Sequence, residues 1–170
     1  MQRNTPDAFP LAERAVFTGG TATGQTDLTA FDAALQAAGI HNANLLSISS
    51  VLPEPATVDV ARAPDQVESL ITPGGFYPTV YTAEASDQAG ETVYAAVAGC
   101  EFASGYGINV ERHGTNRDRN AVRDECVRML EEMAANRDET VASDVWFRYE
   151  ATSVPTGGEW ACAVAAVLYL

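Results

Sequence analysis

A chain of 170 residues, 46% of them hydrophobic, carries enough apolar side chain for one core, so residues 1–170 read as a single domain. Its 23 acidic residues outnumber 10 basic ones, every one of them arginine, and the net charge of -13 argues against nucleic acid as a partner. Concentrated salt would screen so self-repelling a surface, which points to the cytoplasm of a halophile.

Residues Met1 to Glu13 show no period. Ala15-Val16-Phe17-Thr18 then predicts a short strand stopped by Gly19-Gly20, followed by a turn-rich stretch from Thr21 to Gln25. Thr26 or Asp27 can cap a helix whose apolar positions Leu28, Phe31, Leu35 and Ala38 recur at helical spacing, with Gly39 as its left-handed stop. Asp32 lies at the border of that apolar face and reads by itself as a solvated carboxylate.

From Asn44 to Pro53 the composition is that of one strand, with Leu46, Ile48 and Leu52 on a buried face and Pro53, Glu54 and Pro55 ending any pairing. Ser49 and Ser50 sit where this strand runs out. Glu54 to Leu70 reads as loop with at most one short element, and Thr72-Pro73-Gly74-Gly75 as a turn. Strands follow over Phe76 to Ala83 and, after a turn at Gly90-Glu91, over Thr92 to Phe102; Ala103-Ser104-Gly105 makes a hairpin to Tyr106–Arg112, with Glu111 near its end. Asn116 can cap a second helix, with Val122, Cys126, Met129, Leu130 and Met133 on one face and Asp124–Arg128 and Arg128–Glu132 pairs on the other. Thr140–Thr152 and Trp160–Leu170 finish the chain as strands around a turn at Pro155-Thr156-Gly157-Gly158. The order of elements suggests two similar halves, each laying a helix on a sheet.

Several common chemistries are missing from the pattern. There is no Gly-rich phosphate loop, HExxH or GxSxG. Cys100, Cys126 and Cys162 are odd in number and widely spaced, which fits reduced core thiols and neither a disulfide frame nor a metal site. His41 and His113 lack metal-ligand neighbours. Apolar runs such as Ala163–Leu168 are far too short for a bilayer, and Met1–Arg14 has no export pattern, so a soluble, cytoplasmic protein without membrane contact is expected. An adjacent serine pair is most simply two hydroxyls at a strand end. Its sharper reading is attack by Ser50 on the carbonyl carbon of Ser49, after which elimination cuts the backbone and leaves Ser50 as a pyruvoyl group.

One block supports the sharper reading. Leu28, Ala30-Phe31-Asp32, Ala34-Leu35, Ala38-Gly39-Ile40, Asn42, Asn44-Leu45, Ser49-Ser50 and Pro53 resemble the processing region of pyruvoyl-dependent arginine decarboxylases. The likeness continues through Gly90-Glu91-Thr92, Gly107, Glu111, Gly114 and Cys162-Ala163. It departs at His41, where the family often has glycine, and in a longer loop from Thr152 to Glu159. The resemblance implies an α+β fold, the four-layer αββα sandwich of pyruvoyl arginine and histidine decarboxylases, assembled as a homotrimer with sites between subunits. It implies a zymogen that cuts itself at Ser49-Ser50 into a short chain, 1–49, and a long chain, 50–170, beginning with the pyruvoyl group. That covalent group would be the only cofactor, without metal or pyridoxal phosphate, and would take L-arginine to agmatine and CO2 through a Schiff base, feeding polyamine synthesis. Glu111 would be the general acid and Asn44 a donor to the Ser49 carbonyl or the pyruvoyl oxygen. Asp32 would hold the guanidinium, with Leu28, His41, Ala43 and Val51 lining the pocket. Six residues of extended chain span about 20 Å, so Asn44 reaches Ser50 only across a subunit boundary or around a sharp bend. Another substrate such as histidine, or an unprocessed trimer with a binding or structural role, are the competing expectations.

Overall fold

The computed structural model describes residues 10–54 and 56–170. Expectations for residues 1–9 and for Pro55 lie outside the described residues. Among the described residues, nine strands and three helices run in the order β1 (Arg14–Gly24), α1 (Asp27–Ala37), β2 (Asn44–Ser47), β3 (Val51–Leu52), β4 (Thr57–Val60), α2 (Pro64–Glu68), β5 (Phe76–Ser86), β6 (Thr92–Glu101), β7 (Gly107–Thr115), α3 (Arg119–Ala135), β8 (Trp146–Ser153) and β9 (Trp160–Tyr169). They form an α+β fold with two sheets, one ordered β2-β5-β9-β1-β4 and the other β3-β7-β6-β8.

Two strands explain how the core is built. In β9, Ala161, Ala163, Ala165 and Val167 join Phe17 of β1 and Val93, Ala95 and Val97 of β6 in one cluster shared by both sheets. The alternate residues Cys162 and Val164 pack with Ala30 and Ala34 of α1. In β6 the alternate set Tyr94, Ala96, Ala98 and Cys100 packs with Val122, Cys126 and Leu130 of α3. A strand covered on both faces reads as an unbroken apolar run, and the many alanines keep both of its faces thin. All three cysteines are free and buried, and burial pushes their thiols up to about 11.

The first helix begins as its sequence predicts. Thr26 Oγ1 accepts from the Thr29 N–H, and Gly39 ends the helix with φ +75°. The glycines before it act differently from expectation. Strand β1 runs straight through Gly19-Gly20 and the supposed turn to Gly24, pairing with β9 from Ala15↔Tyr169 to Gly24↔Trp160. A Cβ on Gly20 would lie 2.6 Å from Ala37 C and from Ala38 N, so this glycine lets α1 rest on the strand and does not stop it.

Other expectations are corrected by long-range pairing. The Asn44–Pro53 stretch is two strands in different sheets: β2 runs parallel to β5, while β3 is antiparallel to β7. Of its supposed buried face only Leu52 is buried, and Leu46 and Ile48 remain partly exposed. The Glu54–Leu70 loop contains both β4, paired parallel to β1, and the short α2. The second helix is capped by Asp118, whose Oδ1 accepts from the Ala121 N–H. Asn116 instead takes a left-handed φ of 57° and accepts the Thr92 N–H. On α3 it is Glu125 that makes ion pairs, with Arg112 and Arg117, and not the expected Asp124–Arg128–Glu132 row. Strand β8 starts at Trp146, because Val141 forms only an isolated bridge with Phe102. Within β8, Arg148 ties the sheets: its Nη1 donates to Ala61 O at 2.8 Å and its Nη2 to Gly19 O at 3.3 Å, while Nε sits 2.5 Å from Glu150 in poor alignment.

Candidate active site

The two serines sit where the chain leaves one sheet for the other. The Ile48 N–H makes the last bond to the first sheet, to Thr79 O at 3.3 Å. Ser50 O makes the first bond to the second, accepting the Asn109 N–H at 2.8 Å. Between them the Val51 N–H donates to Ser49 O at 2.7 Å, closing a three-residue turn on Ser50. Among the described residues the non-glycines with positive φ are Asn116 and Asp138, so the turn is of the relaxed, inverse kind. The chain is thus held by a hydrogen bond on either side of the Ser49-Ser50 peptide. Ser49 is exposed and Ser50 half-buried.

Ser50 opens into a cavity of about 230 Å3 that it shares with Asn109, Glu111, Met129 and Met133. Glu111 stands in the middle of β7, opposite Val97, rather than at a strand end. Burial raises its pKa above the ordinary carboxylate range, and the charges of Arg112 and His113 offset this only in part. Arg112, which also lines the cavity, donates its Nε to Glu125 at 2.7 Å and its Nη1 to the Glu111 main-chain oxygen at 3.2 Å, while His113 Nδ1 lies 2.8 Å from Glu84. The result is a carboxyl that keeps its proton at a higher pH than a solvated one.

Asn109 was not singled out from the sequence, and it links this strand to the other sheet. Its side chain is buried; Nδ2 donates to the Tyr169 hydroxyl, and Oδ1 has no partner among the described residues. A polar residue within the apolar run Ile108-Asn109-Val110 is the signal that was there to be read.

The remaining predicted residues lie apart from this cavity within the protomer. Asp32 is exposed on α1. Leu28, 70% exposed, lines a separate cavity of about 260 Å3 with Asp27, Phe31 and Ala83. His41 and Ala43 are half-buried after α1, with His41 Nδ1 3.8 Å from Glu68 and its Nε2 3.0 Å from the Asn42 amide. Asn44 starts β2, and its Nδ2 donates to Gly74 O at 2.8 Å. Val51, 48% exposed, borders the serines. A larger cleft of about 360 Å3, lined by Arg14, Asp59 and Arg62, contains none of these groups, and its Arg14 is already paired with Asp59 at 2.6 Å.

These residues fit a pyruvoyl precursor. A serine whose preceding carbonyl is already hydrogen-bonded shares a cavity with a carboxyl whose pKa burial raises. Among the described residues no cluster of three His, Cys, Asp or Glu could hold a metal, and no helix is long and apolar enough to cross a membrane.

Comparison with known proteins gives the family. Residues 14–170 match the family model for pyruvoyl-dependent arginine decarboxylase. A pyruvoyl-dependent arginine decarboxylase of Methanopyrus kandleri is 36% identical over 159 residues, 94% of this chain and 97% of the relative. One from Methanothermobacter thermautotrophicus is 35% identical over 127 residues, 75% and 79% of the two chains. A third, from Methanococcus aeolicus, is 48% identical over a shorter 71 residues, 42% and 39%. With nearly its whole length matched, the chain belongs to the pyruvoyl-dependent arginine decarboxylase family and is a decarboxylase enzyme.

Proposed function

We propose that this chain decarboxylates L-arginine to agmatine and CO2, using a pyruvoyl group that it makes from its own Ser50. The observation that carries this reading is the placing of Ser50 and Glu111 in one cavity, with the Ser49 carbonyl hydrogen-bonded beside them. In maturation, Ser50 Oγ adds to the carbonyl carbon of Ser49, and its proton passes to the Ser50 nitrogen as the C–N bond breaks, leaving an ester. Loss of the Ser50 α-proton expels Ser49 as a carboxylate. One water then hydrolyses the remaining enamine, through its imine, to a ketone and ammonia. The products are chains 1–49 and 50–170, which stay together because β2 and β5, on either side of the cut, pair in one sheet.

Once formed, the pyruvoyl group supplies an electrophilic ketone for the substrate amine and an electron sink for the bond that releases CO2. Glu111 holds the proton that the α-carbon must receive, and its raised pKa keeps that proton available. Asp32 offers the guanidinium a planar carboxylate for two parallel bonds. Leu28, His41, Ala43 and Val51 form the walls, and Asn44 orients polar oxygen at the centre. Because Asp32 and Leu28 stand on α1 while Ser50 lies at β3, the complete site takes both sets from neighbouring protomers of a homotrimer. Exposed Leu46, Ile48, Val51 and Phe76 are apolar surface that such neighbours would cover.

The protomer is then the four-layer αββα sandwich of two similar halves. Packing of α1 on β9 and of α3 on β6, with a cluster shared between the sheets, supports that arrangement. The acidic surface suits a cytoplasm rich in salt. Intact-mass measurement in molar KCl, followed by incubation with arginine and with histidine, tests the proposal. Two chains divided at Ser49-Ser50, the longer carrying the ketone, and agmatine from arginine are expected. An uncut chain with an unaltered Ser50 would refute it.

A further inference from the structure

We infer that the main-chain N–H of Val51 is the group that holds the oxyanion formed on Ser49 during self-cleavage, a role that rests on the maturation reading above. As Ser50 Oγ adds to the Ser49 carbonyl carbon, the π pair of that carbonyl moves onto its oxygen. A donor already 2.7 Å from this oxygen meets the charge without reorganising. The side chain expected to do this, Asn44, spends one of its two Nδ2 hydrogens on Gly74 O at 2.8 Å, and within the described residues of this protomer the Ser49 oxygen is bonded by the Val51 N–H instead.

The donor is aimed by β7. Asn109 N–H holds Ser50 O at 2.8 Å, the bond that flanks the Val51↔Ile108 pair. In an antiparallel ladder this leaves Val51 in a non-hydrogen-bonded pair, with its own N–H pointing away from β7. The C=O and N–H of a trans peptide point in opposite directions. The Ser50–Val51 peptide is therefore pinned at both ends, its oxygen on β7 and its hydrogen on the bond to be cut. The buried Asn109 side chain, bonded to Tyr169, fixes the strand that does the aiming. An edge position for β3 is what leaves the N–H free, since a strand on its other side would claim it.

Replacing residue 51 by the α-hydroxy acid of valine during in vitro translation exchanges this N–H for an ester oxygen and keeps the side chain. In molar KCl the chain should cut between residues 49 and 50 about 10²- to 10³-fold more slowly than the all-amide protein. The α-hydroxy acid of leucine at residue 52 perturbs the same short strand without touching the Ser49 carbonyl and should cut near the normal rate. Intact mass over time reads the bond broken, and hydrolysis of the ester itself is distinguished because it falls after residue 50. Equal rates in the two ester variants, both normal or both slowed alike, overturn the role of Val51. An all-amide chain that never cuts overturns the maturation reading instead.

Discussion

Glu111→Gln separates proton delivery from pocket shape, because the amide is nearly isosteric and cannot be an acid. Glu111 is half-buried in the Ser50 cavity, and the neighbouring Arg112 donates its Nε to Glu125. Burial raises its pKa, and the charges of Arg112 and His113 offset this only in part. General acid catalysis is worth about 10²- to 10⁴-fold, or about 3–5 kcal/mol of barrier, so kcat for agmatine release should fall by that factor. KM and the cut at Ser49-Ser50 should change little. The wild-type kcat should decline as pH rises through the raised pKa of Glu111, and the variant should lack that limb. Stability supplies an independent readout with a definite sign. A raised carboxylate pKa means that the folded state binds the proton more tightly than the unfolded one, so wild-type stability falls as pH climbs from the ordinary carboxylate range to the raised value. The glutamine variant avoids this loss and should resist urea better than wild type at neutral pH, the two converging in acid. A variant that makes agmatine at the wild-type rate, with its alkaline limb intact, would sink the assignment of Glu111 as the acid.

Asp32→Asn should raise KM for arginine about 10- to 100-fold, the worth of a hydrogen bond between charged groups, with kcat and self-cleavage unchanged; an unchanged KM in a steady-state assay would mean that another group holds the guanidinium. Gly20→Ala places a Cβ 2.6 Å from two main-chain atoms of the α1 end, which have little room to yield. Overpacking of this kind costs about 1–3 kcal/mol, and calorimetry should show Tm lowered by about 2–12 °C. Glu125→Gln removes the partner of Arg117 and Arg112, whose hydrogen bonds hold the Glu125 pKa below the usual range. Because that pKa is depressed on folding, the stabilisation is present above the unfolded value and fades as pH drops through the folded one. Wild type should therefore exceed the variant in urea resistance at pH 7 and lose the advantage in acid, whereas a constant gap would point to packing instead.

What the sequence could reveal was set by how local each cause is. Helix α1 was legible because Thr26, the spacing of its apolar residues and Gly39 act within a few positions of one another. Gly19-Gly20 was misread for the converse reason: the glycines answer to α1 packing across the strand, and nothing next to them in the chain says so. Strand β4 was missed because its pairing with β1 begins at Arg14↔Thr57, far along the chain. The same distinction governs the site. Periodicity from Asn44 to Pro53 is continuous and cannot register that the chain changes sheets at the serines. Nor can it register that Asn109 on β7 catches Ser50 O and thereby brings Glu111 into the same cavity. Resemblance named Ser50 and Glu111 as partners without giving the physical link. That link is a main-chain bond, which constrains backbone geometry more than side-chain identity, and this is why Asn109 and the Val51 N–H carry so little mark in the sequence. If the proposed assembly holds, α1 and Asp32 meet Ser50 only across a subunit boundary, and no single-chain pattern could encode that encounter except through the residues each surface leaves exposed.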